Sequence, residues 1–322
     1  MRAIVVSELG GPEVMVVAER CDPVAKPGEL VVKVAAAGVN FMDIYQRTGV
    51  GVYTTQTPYT PGGEGAGTVL AAGSGVTDFA VGDHVAWSAA PGSYAEQVAL
   101  PAGSAVPVPR GIDLRIAAAV MLQGMTAHYL CHSTYPVKEG DITVVHAAAG
   151  GVGLLLTQMI KRRGGVVVAT TSSTAKGVLA QQAGADYVTT YDEFVDTVDR
   201  ITEDRGADAV FDSVGKATFD NSLAALRPRG MMVLYGGSSG QVPPFDPQRL
   251  NTGGSLYLTR PTLGNYVADR AELLWRAGDL FEWIAKGELD VRIGAEYQLA
   301  DAPRAHEDLA ARRTTGKLLL IP

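Results

Sequence analysis

One octapeptide constrains this chain more than any other: His146-Ala147-Ala148-Ala149-Gly150-Gly151-Val152-Gly153. A β-branched run, Ile142–Ala147, leads into it, and an amphipathic segment, Val152–Arg163, leads out. A strand, a glycine-rich turn and a helix in that order point free backbone N–H groups and a positive dipole end at an anion. Gly150 lets the backbone approach a pyrophosphate, and Gly153 lets the helix lie close to the strand. The spacing Ala148-x-Gly150-x-x-Gly153 is the dinucleotide fingerprint with Ala in its first place. Gly150, Gly151 and Val152 are therefore the expected phosphate contacts.

The next strand selects the dinucleotide. A site for NAD carries Asp or Glu about 20 residues after the fingerprint, where it accepts from the ribose hydroxyls. Here that place reads Thr170-Thr-Ser-Ser-Thr-Ala-Lys176, and no carboxylate occurs before Asp186. Hydroxyls from Ser172 and Ser173 with the ammonium of Lys176 suit a 2′-phosphate. NADPH is the expected cofactor.

The turn opens a region of alternating strands and helices. Strands are expected at Val166–Thr171, Tyr187–Thr190, Asp208–Asp212, Met231–Tyr235 and Ser255–Thr259. Helices are expected at Thr174–Ala183 and Lys216–Leu226. Buried runs between amphipathic helices imply an α/β fold, a Rossmann doubly wound parallel sheet. Before it, Ala3–Val6, Leu30–Ala35, Gly67–Ala72 and His84–Trp87 are short β-rich runs between Gly, Pro and Asp turns, the pattern of a partly open β-barrel. After it come helical patterns at Tyr266–Lys286 and Pro303–Arg313 and a last strand, Lys317–Ile321. That tail is too short for a domain and is expected to fold back on the N-terminal part. The expected division is 1–122 with 262–322, and 123–261.

Composition removes several function classes. A net charge of −7 argues against nucleic acid as a partner. Cys21 and Cys131 cannot build a disulfide framework or a thiol-rich zinc lobe. The N-terminus lacks a signal-like apolar core, and the most apolar stretch, Ile142–Met159, holds His146 and the glycine turn, so no membrane span is expected. A cytoplasmic protein is the default. Gly236-Gly-Ser-Ser-Gly240 fits the G-x-S-x-G pattern of hydrolases, but Pro243 and Pro244 follow it where a helix should start.

Nearly end to end, the chain resembles the zinc-free quinone oxidoreductases of the medium-chain dehydrogenase/reductase superfamily, the zeta-crystallin-like group. The resemblance lies in GGPEV at Gly10–Val14, AAGVNFMDIYQRTG at Ala36–Gly49, GGEGAG at Gly62–Gly67, DSVG at Asp212–Gly215, YGGSSG at Tyr235–Gly240, GSLYLTRP at Gly254–Pro261 and RTTGKLLL at Arg313–Leu320. It implies a GroES-like barrel as the catalytic domain beside the Rossmann domain. It implies that Asn40 and Tyr45 lie beside the nicotinamide ring, and that Tyr129, Lys176, Tyr191, Ser213, Tyr235, Gly236, Ser238, Arg260 and Arg312 lie near the cofactor. It also implies a homodimer paired along the strand Gly254–Thr259. The stretch Val50–Pro61, with Tyr53 and Tyr59, is about one residue longer than the family pattern, at the segment bordering the substrate.

Zinc-containing relatives carry Cys where this chain has Asn40, and His where it has Gly63 before Glu64. Catalytic zinc needs about three Cys, His or carboxylate ligands. His84, His128, His132, His146 and His306 show no ligand spacing, so no metal is expected. The implied chemistry is reduction of a quinone by NADPH. Tyr45 is expected to polarise an acceptor oxygen or deliver a proton, and Asn40 to orient ring or acceptor. Two alternatives remain open: reduction of an α,β-unsaturated aldehyde or ketone, and a non-enzymatic, crystallin-like NADPH- or RNA-binding role.

Overall fold

The computed structural model describes residues 1–51 and 53–322. Val52, inside the lengthened stretch Val50–Pro61, lies outside the described residues. The chain divides into two units: Met1–Met125 with Val267–Pro322, and Thr126–Tyr266.

In the first unit the β-rich runs form strands β1 (Arg2–Val6), β2 (Met15–Glu19), β3 (Glu29–Val39), β4 (Glu64–Ala72), β5 (His84–Trp87), β6 (Gln97–Pro101) and β7 (Val106–Pro107). β3 continues past Ala35 because it borders β4, β6 and the chain's last strand, Lys317–Ile321, along its length. One helix, α1 (Phe41–Thr48), interrupts the run, and a second, α2 (Leu114–Tyr129), follows it and carries the chain past Met125 into the second unit. α1 begins after Asn40, whose N–H donates to the Asp43 carboxylate at 2.8 Å, and ends at Gly49 in the left-handed conformation. The sequence pattern does not reveal α2, because Leu-Arg-Ile-Ala-Ala-Ala-Val-Met-Leu is apolar nearly all round and carries no 3.6-residue stripe.

The second unit contains β8 (Ile142–Val145), α3 (Gly151–Arg162), β9 (Val166–Thr170), α4 (Thr174–Gln182), β10 (Tyr187–Thr189), α5 (Phe194–Thr202), β11 (Ala207–Asp212), α6 (Phe219–Ala224), β12 (Leu226–Leu234), α7 (Gln248–Thr252), β13 (Tyr257–Thr259) and α8 (Leu263–Tyr266). The strands pair in parallel in the order β10-β9-β8-β11-β12-β13. That is the doubly wound order, with its reversal point between β8 and β11. Val144, Val168, Phe194, Val210 and Met232 lie in its core. The expected helix Lys216–Leu226 shrinks to α6, since Gly215 turns at φ +86° and Leu226 already starts β12.

The tail returns to the first unit through α9 (Arg270–Ala285), β14 (Ile293–Gln298), α10 (Ala302–Ala310) and β15 (Lys317–Ile321). β15 pairs with β3, completing the sheet order β14-β15-β3-β4-β5-β7, with β6 on β3. Ile4, Leu30, Trp87, Tyr94, Leu318 and Leu320 fill this core. Among the described residues no helix is long and apolar enough to cross a membrane.

Candidate active site

In the second unit the first strand ends at Val145, and Ala147 at φ +50° turns the chain. The N–H of Gly150 donates to Ala147 O at 2.9 Å. α3 then starts with Gly150 as its N-cap and no side-chain cap. The N–H groups of its first turn are thus left for an anion. Gly153 is required for space: a Cβ there would lie 2.5 Å from Ala147 O and 2.7 Å from Ala148 Cα.

A buried polar network anchors this turn. His146 Nδ1 lies 2.8 Å from Thr170 Oγ1, and its Nε2 lies 2.9 Å from Ser222 Oγ. Ser222 and Thr218 donate to Asp212 Oδ2 at 2.9 and 2.6 Å, and the N–H groups of Val214 and Gly215 donate to Oδ1 at 2.7 and 2.9 Å. With the Ser222 proton given to Asp212, His146 must donate from Nε2 and accept at Nδ1. Burial lowers the pKa of His146, against the pull of Asp212, and keeps the ring neutral. The network joins the ends of β8, β9 and β11, from which the cofactor loops emerge.

After β9, Ser173 caps α4, accepting from the Lys176 N–H at 3.4 Å, and Lys176 Nζ donates to Ser172 Oγ at 3.3 Å. Ser172 and Ser173 are exposed and Lys176 is half-buried. Asp186 accepts from Lys161 Nζ and from the N–H of Val167, each at 2.8 Å, so it serves the fold and not a ribose. These residues fit a 2′-phosphate and offer no carboxylate for a free 2′-hydroxyl.

Beyond β10, the Tyr191 ring lies 5.8 Å from that of His146. Past β12, Tyr235 is hydrogen-bonded to Ser213, and burial pushes its hydroxyl pKa up. The N–H of Ser238 donates to Ser213 O at 3.1 Å, and a Cβ on Gly236 would meet the same oxygen at 2.5 Å. No helix starts until Gln248, so Gly236–Gly240 is not a strand-to-helix nucleophile turn. Arg260 follows β13 and is exposed. Tyr129 stacks in parallel on Tyr266, with centroids 4.2 Å apart. The fold thus gathers Gly150–Val152, Ser172, Ser173, Lys176, Tyr191, Ser213, Tyr235, Gly236, Ser238 and Arg260 along the carboxyl ends of one parallel sheet.

Asn40, Tyr45 and Arg312 belong to the first unit. Arg312 is exposed after α10. Tyr45 is half-buried in α1, its ring stacked on Tyr53 with centroids 5.3 Å apart and 6.2 Å from Phe41. Asn40 is buried and its amide is engaged on both ends: Nδ2 donates to Glu64 Oε2 at 2.8 Å, and Oδ1 accepts from Lys317 Nζ at 2.9 Å. Lys317 also pairs with Glu64 Oε2, and Glu64 Oε1 accepts from the Leu122 N–H at 2.6 Å. Sequence reading gave Glu64 no role beyond the zinc comparison and Lys317 none at all; the one signal was a lysine heading the apolar strand Lys-Leu-Leu-Leu-Ile.

Beside this cluster, Asp43 Oδ2 accepts from Tyr94 Oη at 2.9 Å, and Tyr94 Oη lies 3.0 Å from His306 Nε2. Burial raises the Asp43 pKa to about 6, against the Asn40 N–H, the Tyr94 hydroxyl and Lys317. Burial, helped by Arg47, lowers that of His306 to about 3.

The donor set does not fit zinc. Asn40 and Gly63 stand where a thiolate and an imidazole would be needed, and the Glu64 oxygens already serve Lys317, Asn40 and a backbone N–H. Among the described residues, no group of three or more His, Cys, Asp or Glu is placed to hold a metal.

Residues 26–110 match the family described as alcohol dehydrogenase GroES-like domain, and residues 151–274 match that described as zinc-binding dehydrogenase. A quinone oxidoreductase of Pseudomonas aeruginosa is 41% identical, with 97% of each chain covered. A 2-haloacrylate reductase of Burkholderia is 37% identical, covering 99% of this chain and 98% of that one. A mycobacterial protein solved in complex with NADPH superposes with a TM-score of 0.96 at 45% identity over the whole of both chains.

Proposed function

The chain belongs to the quinone oxidoreductases of the medium-chain dehydrogenase/reductase superfamily, and from that membership we propose an NADPH-dependent reductase of quinones. The observation that carries the cofactor half is the uncapped start of α3 together with Ser172, Ser173 and Lys176 where an acid would serve NAD. Bound there, NADPH supplies a hydride from its nicotinamide. The unit Thr126–Tyr266 is the cofactor domain: Gly151 and Val152 would donate backbone N–H to the pyrophosphate, and Lys176 would pair with the 2′-phosphate.

The other unit carries the acceptor chemistry. The Phe41, Tyr45 and Tyr53 rings give a planar, electron-poor acceptor an aromatic surface to stack on. The Tyr45 hydroxyl donates a hydrogen bond to an acceptor oxygen as negative charge develops there and delivers its proton to that oxygen, with solvent reprotonating the tyrosine. Asn40 orients the reactants without a metal. Two free cysteines, Cys21 and Cys131, accord with a reducing, cytoplasmic setting. β13, at the edge of the parallel sheet with Tyr257 57% exposed, is the edge along which two copies pair as a homodimer. Light scattering at micromolar concentration should give twice the chain mass; a monomer rejects the pairing.

NADPH oxidation with 1,4-benzoquinone, 9,10-phenanthrenequinone and 2-hexenal tests the function. The quinones are expected to give the higher kcat/KM. A second reading, reduction of an activated alkene, is favoured by the likeness to a 2-haloacrylate reductase. It prevails if hexenal or 2-chloroacrylate outruns both quinones.

A further inference from the structure

The polar cluster at the start of α1 spans three neighbouring strands. Asn40 follows β3, Glu64 opens β4 and Lys317 opens β15, and β3 lies between the other two. All three side chains are buried, with Lys317 1% and Glu64 0% exposed. The floor of the cluster is Gly38. A Cβ there would overlap the Glu64 carboxylate and lie 2.7 Å from Lys317 Cε, so a side chain at this position would push the ends of the lysine and glutamate from where they meet.

The partners determine which way the Asn40 amide faces. An ammonium only donates and a carboxylate only accepts. The carbonyl must face Lys317 and the amide nitrogen must face Glu64, and a flipped amide would set like against like on both sides. Both bonds are charge-assisted, and such bonds are stronger and more directional than neutral ones. Asn40 is also the residue from which α1 starts, and its N–H donates to the Asp43 carboxylate at 2.8 Å.

We propose that Lys317 is a positioning residue for the reaction: with Glu64 it locks the Asn40 amide in one orientation, so that Asn40 meets the reactants with a fixed pattern of donor and acceptor. The proposal rests on the reading that Asn40 borders the nicotinamide and the acceptor. Lys317 touches neither and acts through Asn40. Without it the amide is free to turn, and the alignment on which turnover depends is lost while the phosphate contacts of the other unit remain.

Lys317→Met alone would strand a buried carboxylate, so the informative variant is Lys317→Met/Glu64→Gln, which removes both charges together. Fluorescence titration of NADPH and thermal unfolding establish that the variant is folded and binds cofactor. The expected result is NADPH affinity within about twofold of wild type, kcat for benzoquinone lower by about tenfold or more, and KM changed less. Lys317→Arg, which keeps a buried donor cation, should recover part of the lost kcat. A folded double variant with kcat within about twofold of wild type overturns the proposal. An independent arm follows the Asn40 side-chain amide by 15N NMR, identified by its loss in Asn40→Ser. Slow exchange in the wild type and fast exchange in the double variant support the lock; equal protection in both overturns it. Absence of quinone turnover in the wild type would count against the functional reading, and the NMR arm would still decide the lock.

Discussion

Asp43 and His306 share one hydroxyl, that of Tyr94, and burial shifts both pKa values so that their effects on stability oppose one another. Folding raises Asp43 from 3.8 to about 6. Its contribution is therefore fully present below pH 3.8 and is lost as the pH rises through about 6, where the buried carboxyl must ionise. Folding lowers His306 from 6.5 to about 3. Its contribution is present above pH 6.5 and is lost as the pH falls, because the unfolded chain takes up a proton that the buried ring refuses. Between pH 6 and 4.5 the first term should strengthen and the second weaken by about 2 kcal/mol each, at about 1.4 kcal/mol per pH unit for a fully titrating group. In the wild type they nearly cancel.

Separating them is the test. Asp43→Asn should leave the histidine term exposed, so that acidification from pH 6 to 4.5 costs about 2 kcal/mol more than in wild type. His306→Gln should do the opposite, making the variant gain about 2 kcal/mol relative to wild type over the same interval. Urea unfolding at several pH values, read as differences from wild type, removes the contribution of all other groups. Shifts of the same sign in the two variants, or a pH dependence unchanged in both, would refute the reasoning.

Three further outcomes are expected. Lys176→Ala should weaken NADPH by roughly ten- to a hundredfold and leave NADH nearly unchanged, since a charge-assisted contact to phosphate is worth about 1.5–3 kcal/mol; equal loss for both cofactors in fluorescence titration would contradict the 2′-phosphate contact. Gly153→Ala should lower NADPH affinity by about tenfold or more, because its Cβ would press on backbone atoms 2.5 and 2.7 Å away that no rotamer change can move. Metal analysis of active protein should find no stoichiometric zinc and activity should survive EDTA; zinc-restored activity after chelation would reverse the conclusion drawn from Asn40, Gly63 and Glu64.

The parallel sheet was legible because β8 and β9 are largely β-branched runs and the phosphate turn between β8 and α3 is coded by adjacent residues. His84–Trp87 and Lys317–Ile321 match their expected bounds, and Ile142 and Val166 begin strands where expected. What escaped shares a cause. α2 is apolar on every side, β2 exposes Val16 and Val17 against the usual alternation, and β14 reads Ile-Gly-Ala-Glu-Tyr-Gln with few β-formers. Each is stabilised by neighbours far along the chain, and local pattern carries little of that. Edges moved for a related reason: Ala147 ends β8 early because the turn needs its positive φ.

The two halves of the candidate site differ in the same way. The phosphate turn and Ser172–Lys176 are backbone and short side-chain motifs, complete within a few residues, so residue types alone point to an anion. The cluster around Asn40 is built from residues 24 and 277 positions away, and nothing local tells a buried lysine from one at a solvated strand end. A lysine heading an apolar strand reads as a gatekeeper on an edge; here β15 lies between β14 and β3, and the ammonium turns inward to two oxygens. A local motif fixes what is bound, since its energy comes from groups that meet the ligand directly. A long-range cluster fixes how a residue is oriented, and its loss is felt where alignment matters. Substitutions in the first half should therefore appear chiefly in cofactor affinity, and substitutions in the second chiefly in kcat.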